Sequence, residues 1–583
     1  MKRFKNTVVV ILMMALMFSM AACGKAEDVQ KAFDEFTWRM FEENVTADTI
    51  TLHYTLADPE GYGIEAPEVT LGEVDFSEET LQEEQQEIKE LLKELESFDY
   101  KKLTKEQQLT YDILKQDLEL SLDFYDFVYL YEPFAYTSGL QANIPITLSE
   151  YQFYDEGDVE DYLTILEQIP EYFNDYLEFE RVKSEKGLFM NENCAEEVIR
   201  QCSDMIADPE NIVLIPTFES RIEKVEGLSA GEKAAYIEEN YNAVMEYIIP
   251  AYENTIAVFE ELKTTGENDL GLKYLENGQE YYHYLLASDV GTNRTPEEVI
   301  RLLDDAMDST MSELYTVVMA DYDSYLAYFE AYETLYTNNQ HDPAQTIRFF
   351  EEAMGDRFPE LPEIEFTITP VHESLESSVS PAFYMLPALD RYEDNSIHIN
   401  EGSTGADSLW ATLAHEGIPG HMYQNVYFLS QNPEPLRKLL SFGGYDEGWA
   451  TYVEMMSYEY YDFEEPLYGI MERINAELNL LISARIEIGV NYEGWTLEET
   501  ETYLTELGMD AGAAQDLMDY VIAEPANYQM YCTGWLEFEE LRSFAERKMG
   551  NQFDEAEFHK VLLEAGPCQF DILRKLVIEY TNQ

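Results

Sequence analysis

The heptapeptide HEGIPGH, residues 415–421, combines two histidines with a glutamate, which are residue types that bind zinc and activate water. In the common H-E-x-x-H signature the histidines are four residues apart, so they project from one helix face and hold one metal ion. Here His415 and His421 are six apart, which places them about 240° apart around a straight helix. The segment is therefore a broken metal site, a chance pairing, or a working site on a helix that is not straight.

Pro419 favours a helix that is not straight. Residues 406–416, ADSLWATLAHE, form a helix readily, but the ring of Pro419 clashes with the carbonyl group of His415 and its nitrogen lacks the N–H of a helical hydrogen bond. The two glycines of the motif supply the freedom to turn. The two additional residues could then bring His421 back alongside His415. On this string alone, a helix-ending turn with two surface histidines is the stronger alternative.

A second motif supplies a third ligand. Residues 444–456 read GYDEGWATYVEMM, and Glu447 lies 26 positions beyond His421. Two histidines and a glutamate from a neighbouring helix form a three-ligand zinc set that leaves one position open for water. Glu454, two turns after Glu447, faces the same way and could orient a ligand histidine through its other nitrogen. The alternative is that both are ordinary members of a set of 117 acidic residues, and charge alone favours it.

Together, HEGIPGHMYQ and EGWATYVE resemble HEGxPGHxxQ and EGWAxYxE, which are typical of a bacterial family named domain of unknown function 885. The resemblance extends to PAFYMLPALD, PANYQMYCTG and FHKVLLEAGPCQFDIL, and it covers about residues 70–575. That family is similar to gluzincin-type zinc metallopeptidases of the thimet oligopeptidase kind, in which a second glutamate also follows the third ligand by seven residues. The resemblance implies a mostly α, cleft-forming, zinc-peptidase-like fold.

The resemblance also implies a role for each site residue. His415, His421 and Glu447 would bind one zinc ion per chain, and Glu416 would take a proton from the water that zinc acidifies. Tyr531 is predicted to donate a hydrogen bond to the negative charge that develops on the substrate oxygen.

Several other positions leave alternatives open. His559 is a second candidate donor, although a packed histidine at a helix end explains it better. Gln424 is expected to pack or orient near His421 rather than to react. Asn491 and Cys532 stand where many family members carry histidine and lysine. If either position contacts substrate in relatives, specificity here would differ, but neither is a predicted ligand or base.

Helices are predicted to position these residues. The pairs Thr104 with Gln107, Thr295 with Glu298 and Thr496 with Glu499 fit N-terminal capping boxes, and they are spread along the chain. Between residues 362 and 400, EIEFTITPV and SIHIN alternate and contain β-branched residues, which predicts two short strands. We therefore expect a mostly α architecture with a small sheet just before the histidine helix, an N-terminal helical half at 61–360 and a catalytic half at 361–583.

The amino terminus has the pattern of a bacterial export signal. Three basic residues precede an apolar run from Val8 to Met20, and Ala21, Ala22 and Cys23 follow. This predicts a signal peptide at 1–22, lipidation of Cys23, and a lipid-anchored tether leading into the fold at 23–60. An uncleaved anchor is disfavoured because 13 apolar residues are short for a bilayer. The protein would be extracytoplasmic and anchored to the bacterial membrane by lipid.

Charge and cysteines narrow the function classes further. The net charge is −81, from 36 basic and 117 acidic residues, which argues against binding nucleic acid or adsorbing on an anionic membrane surface. The four cysteines after Cys23 lack the paired spacing of a thiolate zinc site and are expected to be core residues or unoxidised thiols.

These observations favour an exported zinc metallopeptidase that acts on short peptides as a monomer. The small sheet would offer an edge strand to a peptide backbone, and a cleft would exclude folded proteins. One alternative is a surface peptide-binding protein that kept the fold and lost the metal, although an intact Glu416 disfavours it. Another is a zinc hydrolase of non-peptide amides or esters, because zinc, water and a base do not select the bond.

Overall fold

The computed structural model describes residues 25–135, 138–332, 335, 342–362, 364–373, 376, 379–403, 409–463 and 465–582. Cys23 and the predicted signal peptide lie outside these residues. The chain folds into two compact units. The first comprises the chain up to Asp269 together with the short segment Ala388–Arg391. The second comprises Leu270–Pro387 and Tyr392–Gln583.

The first unit is built from helices. They are α1 (Ala26–Val45), α2 (Thr49–Thr55), α3 (Pro59–Tyr62), α4 (Glu78–Ser97), α5 (Lys105–Asp123), α6 (Leu140–Glu150), α7 (Glu156–Glu185), α8 (Glu192–Met205), α9 (Pro216–Ile222), α10 (Ala230–Ala243) and α11 (Ile249–Leu262). The segment predicted as a tether and entry into the fold, 23–60, contains α1, α2 and the start of α3 in its described part. The reason is an apolar stripe on one face of α1, where Phe33, Phe36 and Met40 are buried.

The second unit is also mainly helical. Its helices are α12 (Gly278–Ser288), α13 (Pro296–Ala320), α14 (Tyr322–Ala331), α15 (Pro343–Met354), α16 (Trp410–Glu416), α17 (His421–Ser430), α18 (Gly443–Ser457), α19 (Pro466–Ile488), α20 (Leu497–Glu506), α21 (Ala514–Ala523), α22 (Asn527–Met549), α23 (Glu555–Ala565) and α24 (Phe570–Thr581). This unit begins at Leu270, whereas the sequence placed the start of the catalytic half at 361. The difference arises because α13 and α14 pack against α19.

The three capping boxes expected from the sequence are all present. Thr104, Thr295 and Thr496 each accept a hydrogen bond from the third amide of the following helix, and the side chain at that position bonds back. Each box satisfies two amides that would otherwise lack a partner at the helix start, which fixes where α5, α13 and α20 begin.

The sheet has three strands, β1 (Glu365–Pro370), β2 (Ala382–Met385) and β3 (Asp394–Ile399), in the order β1-β3-β2. β3 pairs parallel with β1 and antiparallel with β2. The sequence predicted β1 and β3 but not β2, because a four-residue strand between prolines is too short to display an alternating pattern. The predicted fold class, mostly α with a small sheet beside the histidine helix, is confirmed.

Two further expectations concern the cysteines and membrane segments. The four cysteines in the described part of the chain are buried thiols, as expected. Within the described ranges, no helix combines the length and apolar composition needed to cross a bilayer.

Candidate metal centre

The HEGIPGH segment is a break between two helices. α16 ends at Glu416 and α17 begins at His421. A Cβ atom on Gly420 would lie 1.8 Å from the carbonyl oxygen of His415, so the chain can pass this close to itself only with glycine there. As a result the rings of His415 and His421 are neighbours, with centroids 4.8 Å apart and planes at 85°.

The break is also held from α18. The indole N–H of Trp449 donates a hydrogen bond to the carbonyl oxygen of Pro419 at 2.9 Å. Trp449 is fully buried and lies two residues after Glu447. The motif containing the third predicted ligand therefore also fixes the turn between the two histidines.

The three predicted ligands converge. Nε2 of His415 lies 3.3 Å and Nε2 of His421 lies 3.4 Å from Oε2 of Glu447, and three ligand atoms of this group lie within 4.8 Å of one another. A tetrahedral zinc ion with bonds of about 2.1 Å separates its ligands by about 3.4 Å. A charge-assisted hydrogen bond would be about 2.7–2.9 Å. The two nitrogen–oxygen distances therefore fit ligands of one shared cation better than direct hydrogen bonds.

Glu454 contacts the first histidine. Its Oε2 lies 3.0 Å from Nδ1 of His415. When Nδ1 carries the proton and donates it to this carboxylate, the lone pair of Nε2 points towards Glu447 and is free to bind a metal.

Glu416 lies beside the ligands and is held by the sheet. Its Oε2 accepts a hydrogen bond from the main-chain N–H of Tyr384 at 2.8 Å. Tyr384 faces Ile397 of β3 in the antiparallel register, at a position where its amide points away from β3. Burial raises the pKa of the Glu416 carboxyl group, while His421 and His415 oppose that rise. A carboxylate with a raised pKa is suited to accept a proton near neutral pH.

Tyr531 projects from the first turns of α22 towards the same centre. Its ring is nearly parallel to that of His415, with planes at 20° and centroids 6.2 Å apart, and its hydroxyl group lies close enough to Glu447 for that carboxylate to raise its pKa. Burial, together with the charges of Glu447 and Glu416, raises the pKa of Tyr531 well above its usual value. The hydroxyl group therefore stays protonated and can act as a donor.

Glycines on α18 and α22 allow the backbones of these two helices to come into contact. A Cβ atom on Gly448 would lie 2.4 Å from the carbonyl carbon of Gly534, and one on Gly534 would lie 2.3 Å from the carbonyl oxygen of Gly444. Larger residues would force the two helices apart. This contact positions Tyr531 opposite Glu447.

The electrostatics of the centre favour positive charge. Burial alone would raise the pKa of Glu447, but the neighbouring His421 and His415 hold it well below its usual range. Burial alone would lower the pKa of both histidines, but the carboxylates of Glu447 and its neighbours raise them above the usual value. The three groups are half-buried, and the carboxylate and the histidines favour each other's charged forms, which is an arrangement suited to binding a cation.

His559 lies elsewhere in the same unit. It is fully buried, stacks on Phe358 at 4.5 Å, and packs edge to face against Trp449. Its Nε2 lies 2.9 Å from the hydroxyl group of Tyr452 and its Nδ1 lies 2.7 Å from the carbonyl oxygen of Arg357. Both ring nitrogens are engaged, which is the packed-histidine alternative considered from the sequence.

The other positions singled out in the sequence make structural contacts. The Gln424 amide donates to the carbonyl oxygen of Tyr445 at 3.3 Å. Asn491 is buried and accepts from the main-chain N–H of Leu272 at 3.2 Å. Cys532 is fully buried in α22. Tyr384 is the functional contact that sequence reasoning missed, since nothing in the short β2 segment indicated a bond to the predicted base.

Comparison with known proteins identifies relatives but no characterised activity. A family model described as a bacterial protein of unknown function, DUF885, matches residues 70–577. A candidate lipoprotein from Colwellia psychrerythraea superposes with a TM-score of 0.79 at 19% identity, covering 96% of this chain and 99% of its own. A candidate lipoprotein of unknown function from Shewanella oneidensis superposes with a TM-score of 0.64 at 17% identity. The match covers 95% of this chain and 100% of the Shewanella chain. At these identities the likeness is one of fold, and no curated protein matches the sequence.

Proposed function

The chain belongs to the bacterial DUF885 family, and we propose that it is a zinc-dependent peptidase that cleaves short peptides at the outer face of the cell envelope. The observation that carries the proposal is the spacing of 3.3 and 3.4 Å between the histidine nitrogens and Glu447, with Glu416 adjacent. A protein that only binds peptides has no need of a base beside a metal site.

Zinc held by His415, His421 and Glu447 would supply Lewis acidity and lower the pKa of water towards neutrality. Glu416 would act as the general base that takes the proton, and the amide of Tyr384 keeps its carboxylate turned towards the ligands. Because burial raises the pKa of Glu416, the proton it accepts can later be passed to the leaving amine.

Tyr531 would stabilise the negative charge that develops on the substrate carbonyl oxygen. Its hydroxyl group stays protonated, lies beside Glu447 and sits on the face of the centre covered by α22. A donor fixed before the reaction stabilises that charge without a reorganisation cost.

The sheet suggests how an extended peptide would be held. In the strand order β1-β3-β2, the described strands pair with β2 on one side only. The amide of Tyr384 points from the other side of β2 to Glu416, so a peptide aligned along this edge would pass the proposed base. The side chains of the candidate ligands are 11%, 18% and 25% exposed for His415, His421 and Glu447, which favours short or unfolded substrates.

Lipid anchoring through Cys23 is part of the proposal. It is supported by the signal-like amino terminus and by two relatives of the same fold that are described as candidate lipoproteins.

Activity is tested with the soluble chain from residue 25 onward, reloaded with zinc and assayed on a library of quenched fluorescent peptides. We expect about one zinc per chain and measurable cleavage, and we expect Glu416→Gln to reduce kcat by about 10²–10⁴-fold while zinc is retained. The matched control is Glu506→Gln, at an exposed position in α20, which should cleave like the parent.

Three outcomes would contradict the proposal. A parent chain that binds no zinc after reloading would exclude the metal site. Cleavage by Glu416→Gln at the parent rate would exclude the base. Hydrolysis of esters or small amides without any peptide cleavage would assign the site to other substrates.

A further inference from the structure

A buried carboxyl group on α19 meets the start of α22. Glu487 is fully buried, and its Oε2 accepts a hydrogen bond from the main-chain N–H of Tyr528 at 2.7 Å. The amides of Ala526 and Gln529 lie close enough to this carboxyl group to lower its pKa. These are first-turn amides that have no partner within the helix itself.

The start of α22 has no cap of its own. The residue at the N-cap position is Ala526, which has a left-handed backbone with φ 68° and no side-chain hydrogen bond. In most helices a serine, threonine, aspartate or asparagine at this position accepts from the free amides. Here Glu487, 41 residues away from Tyr528 in sequence, fills that role from another helix.

Glu487 is itself fixed by a third helix. The hydroxyl group of Tyr282 on α12 donates to its Oε1 at 3.1 Å. The side-chain amide of Gln529 donates to the carbonyl oxygen of Ala484 at 2.8 Å, which ties the same turn of α22 to α19 a second time. Burial raises the pKa of Glu487 to about 8, and the hydrogen bonds from Tyr282 and the amides oppose that rise. In either protonation state at least one carboxyl oxygen accepts from α22.

The first turns of α22 also carry Tyr531. It follows Tyr528 by three residues, which is less than one helical turn. The glycine contact between α18 and α22 lies further along, at Gly534. Without Glu487, the Tyr528 amide in the turn that aims Tyr531 at His415 would lose its acceptor. That turn would then fray, as uncapped helix ends do.

We propose that Glu487 is a positioning residue that caps α22 from outside the helix and thereby holds the hydroxyl group of Tyr531 at the candidate metal centre. Its effect on turnover rests on the proposed function, whereas its effect on the position of Tyr531 does not. Glu487 contacts neither the ligands nor Glu416 and is expected to act only through α22.

Kinetics test the connection to Tyr531. Glu487→Met removes both acceptors at similar volume and is expected to lower kcat about tenfold or more, with KM and zinc content unchanged. Glu487→Gln keeps one acceptor oxygen and should restore most of the rate. Tyr531→Phe should lose about 10²-fold. The double variant of Glu487→Met and Tyr531→Phe should then equal Tyr531→Phe within about twofold.

A matched control separates positioning from general destabilisation. Glu477 lies on the same helix, is 5% exposed, and is paired with Arg473 and Thr310 rather than with the start of α22. Glu477→Met should lower the free energy of unfolding without changing kcat of the folded fraction. An equal loss of kcat in Glu477→Met and Glu487→Met would overturn the inference, and so would additive losses in the double variant.

A second measurement does not depend on activity. With 3-fluorotyrosine incorporated at position 531, the zinc-loaded protein should give a ¹⁹F resonance shifted from that of free 3-fluorotyrosine. In Glu487→Met that resonance should broaden or move towards the free value, whereas in Glu477→Met it should not. If the parent cleaves no peptide, the proposed function fails and this experiment still decides the role of Glu487. An unchanged resonance in Glu487→Met overturns it.

Discussion

The second unit contains two histidine environments, one at His559 and one at His415 and His421, in which the histidine pKa values shift in opposite directions. His559 is packed among aromatic rings, and burial lowers its pKa to about 4 despite the hydrogen bond to the carbonyl oxygen of Arg357. His415 is 9% exposed and the His421 side chain 18%, yet their pKa values are raised. Burial alone acts in the same direction on all three rings, so the neighbours decide the result.

The neighbours differ in kind. His559 has a hydroxyl group and a carbonyl oxygen as partners, and these satisfy a neutral ring completely. His415 and His421 face Glu447 with nitrogens more than 3.2 Å from its oxygen, a gap that leaves room for a cation. The carboxylates that face His415 and His421 support the candidate metal centre, whereas the neutral acceptors and aromatic rings around His559 indicate core packing.

The strongest test compares removal of the Glu447 carboxylate, which faces His415 and His421, with removal of the His559 ring. Glu447→Gln should weaken zinc binding by at least about 1,000-fold, well above the 10–100-fold typical of an outer partner. His559→Gln should bind zinc like the parent. Zinc content after dialysis and competition with a chelator measure both, and parent-like affinity in Glu447→Gln would remove Glu447 from the ligand set.

Acidification should destabilise the protein through His559. The folded-state pKa of His559 is lowered from 6.5 to about 4, so its stabilising contribution is present above pH 6.5 and is lost as pH falls from 6.5 towards 4. At 1.36 kcal/mol per pKa unit, the loss reaches about 3 kcal/mol of the free energy of unfolding. His415 and His421 have the opposite pH dependence because their pKa values are raised. In the zinc-free chain, their contribution to the free energy of unfolding is present at low pH and is lost as pH rises.

Urea unfolding of the zinc-free chain between pH 4 and 8 measures this effect. His559→Gln has no group that titrates in this range at position 559, so its acid-side loss of stability should be smaller than that of the parent. Identical acid limbs in the two proteins would show that His559 is not the group responsible.

Sequence reasoning identified the local features of the fold well. The capping box at Thr295 fixes the start of α13, and the proline and glycines of HEGIPGH end one helix before the next begins. These signals are carried by residues within a few positions of one another. β2 was missed because its four residues have no such signal, and it forms by pairing with β3.

The candidate site divides in the same way. The motifs named the three groups that converge and the glutamate beside them, since these residues carry recognisable spacing. The sequence could not indicate that Tyr384, 32 residues before Glu416, binds that carboxylate, or that Glu487 caps the helix of Tyr531. Both contacts join distant segments through ordinary residue types, so only the packing of the whole unit brings them together.

The smallest expected change in zinc affinity compares the two residues that hydrogen-bond these histidines, Glu454 beside His415 and Tyr452 beside His559. Glu454→Gln removes the charge that holds Nδ1 of His415 and should weaken zinc binding by about 10–100-fold without abolishing it. Tyr452→Phe removes the hydroxyl partner of His559 and should leave zinc affinity at the parent value. Glu454→Gln weakens and Tyr452→Phe removes one hydrogen bond to a histidine, so a loss of stability in either would not discriminate between them. Zinc affinity does, because only one of the two rings faces Glu447. If Tyr452→Phe weakens zinc binding as much as Glu454→Gln, the two environments are coupled and the orienting role of Glu454 is not specific.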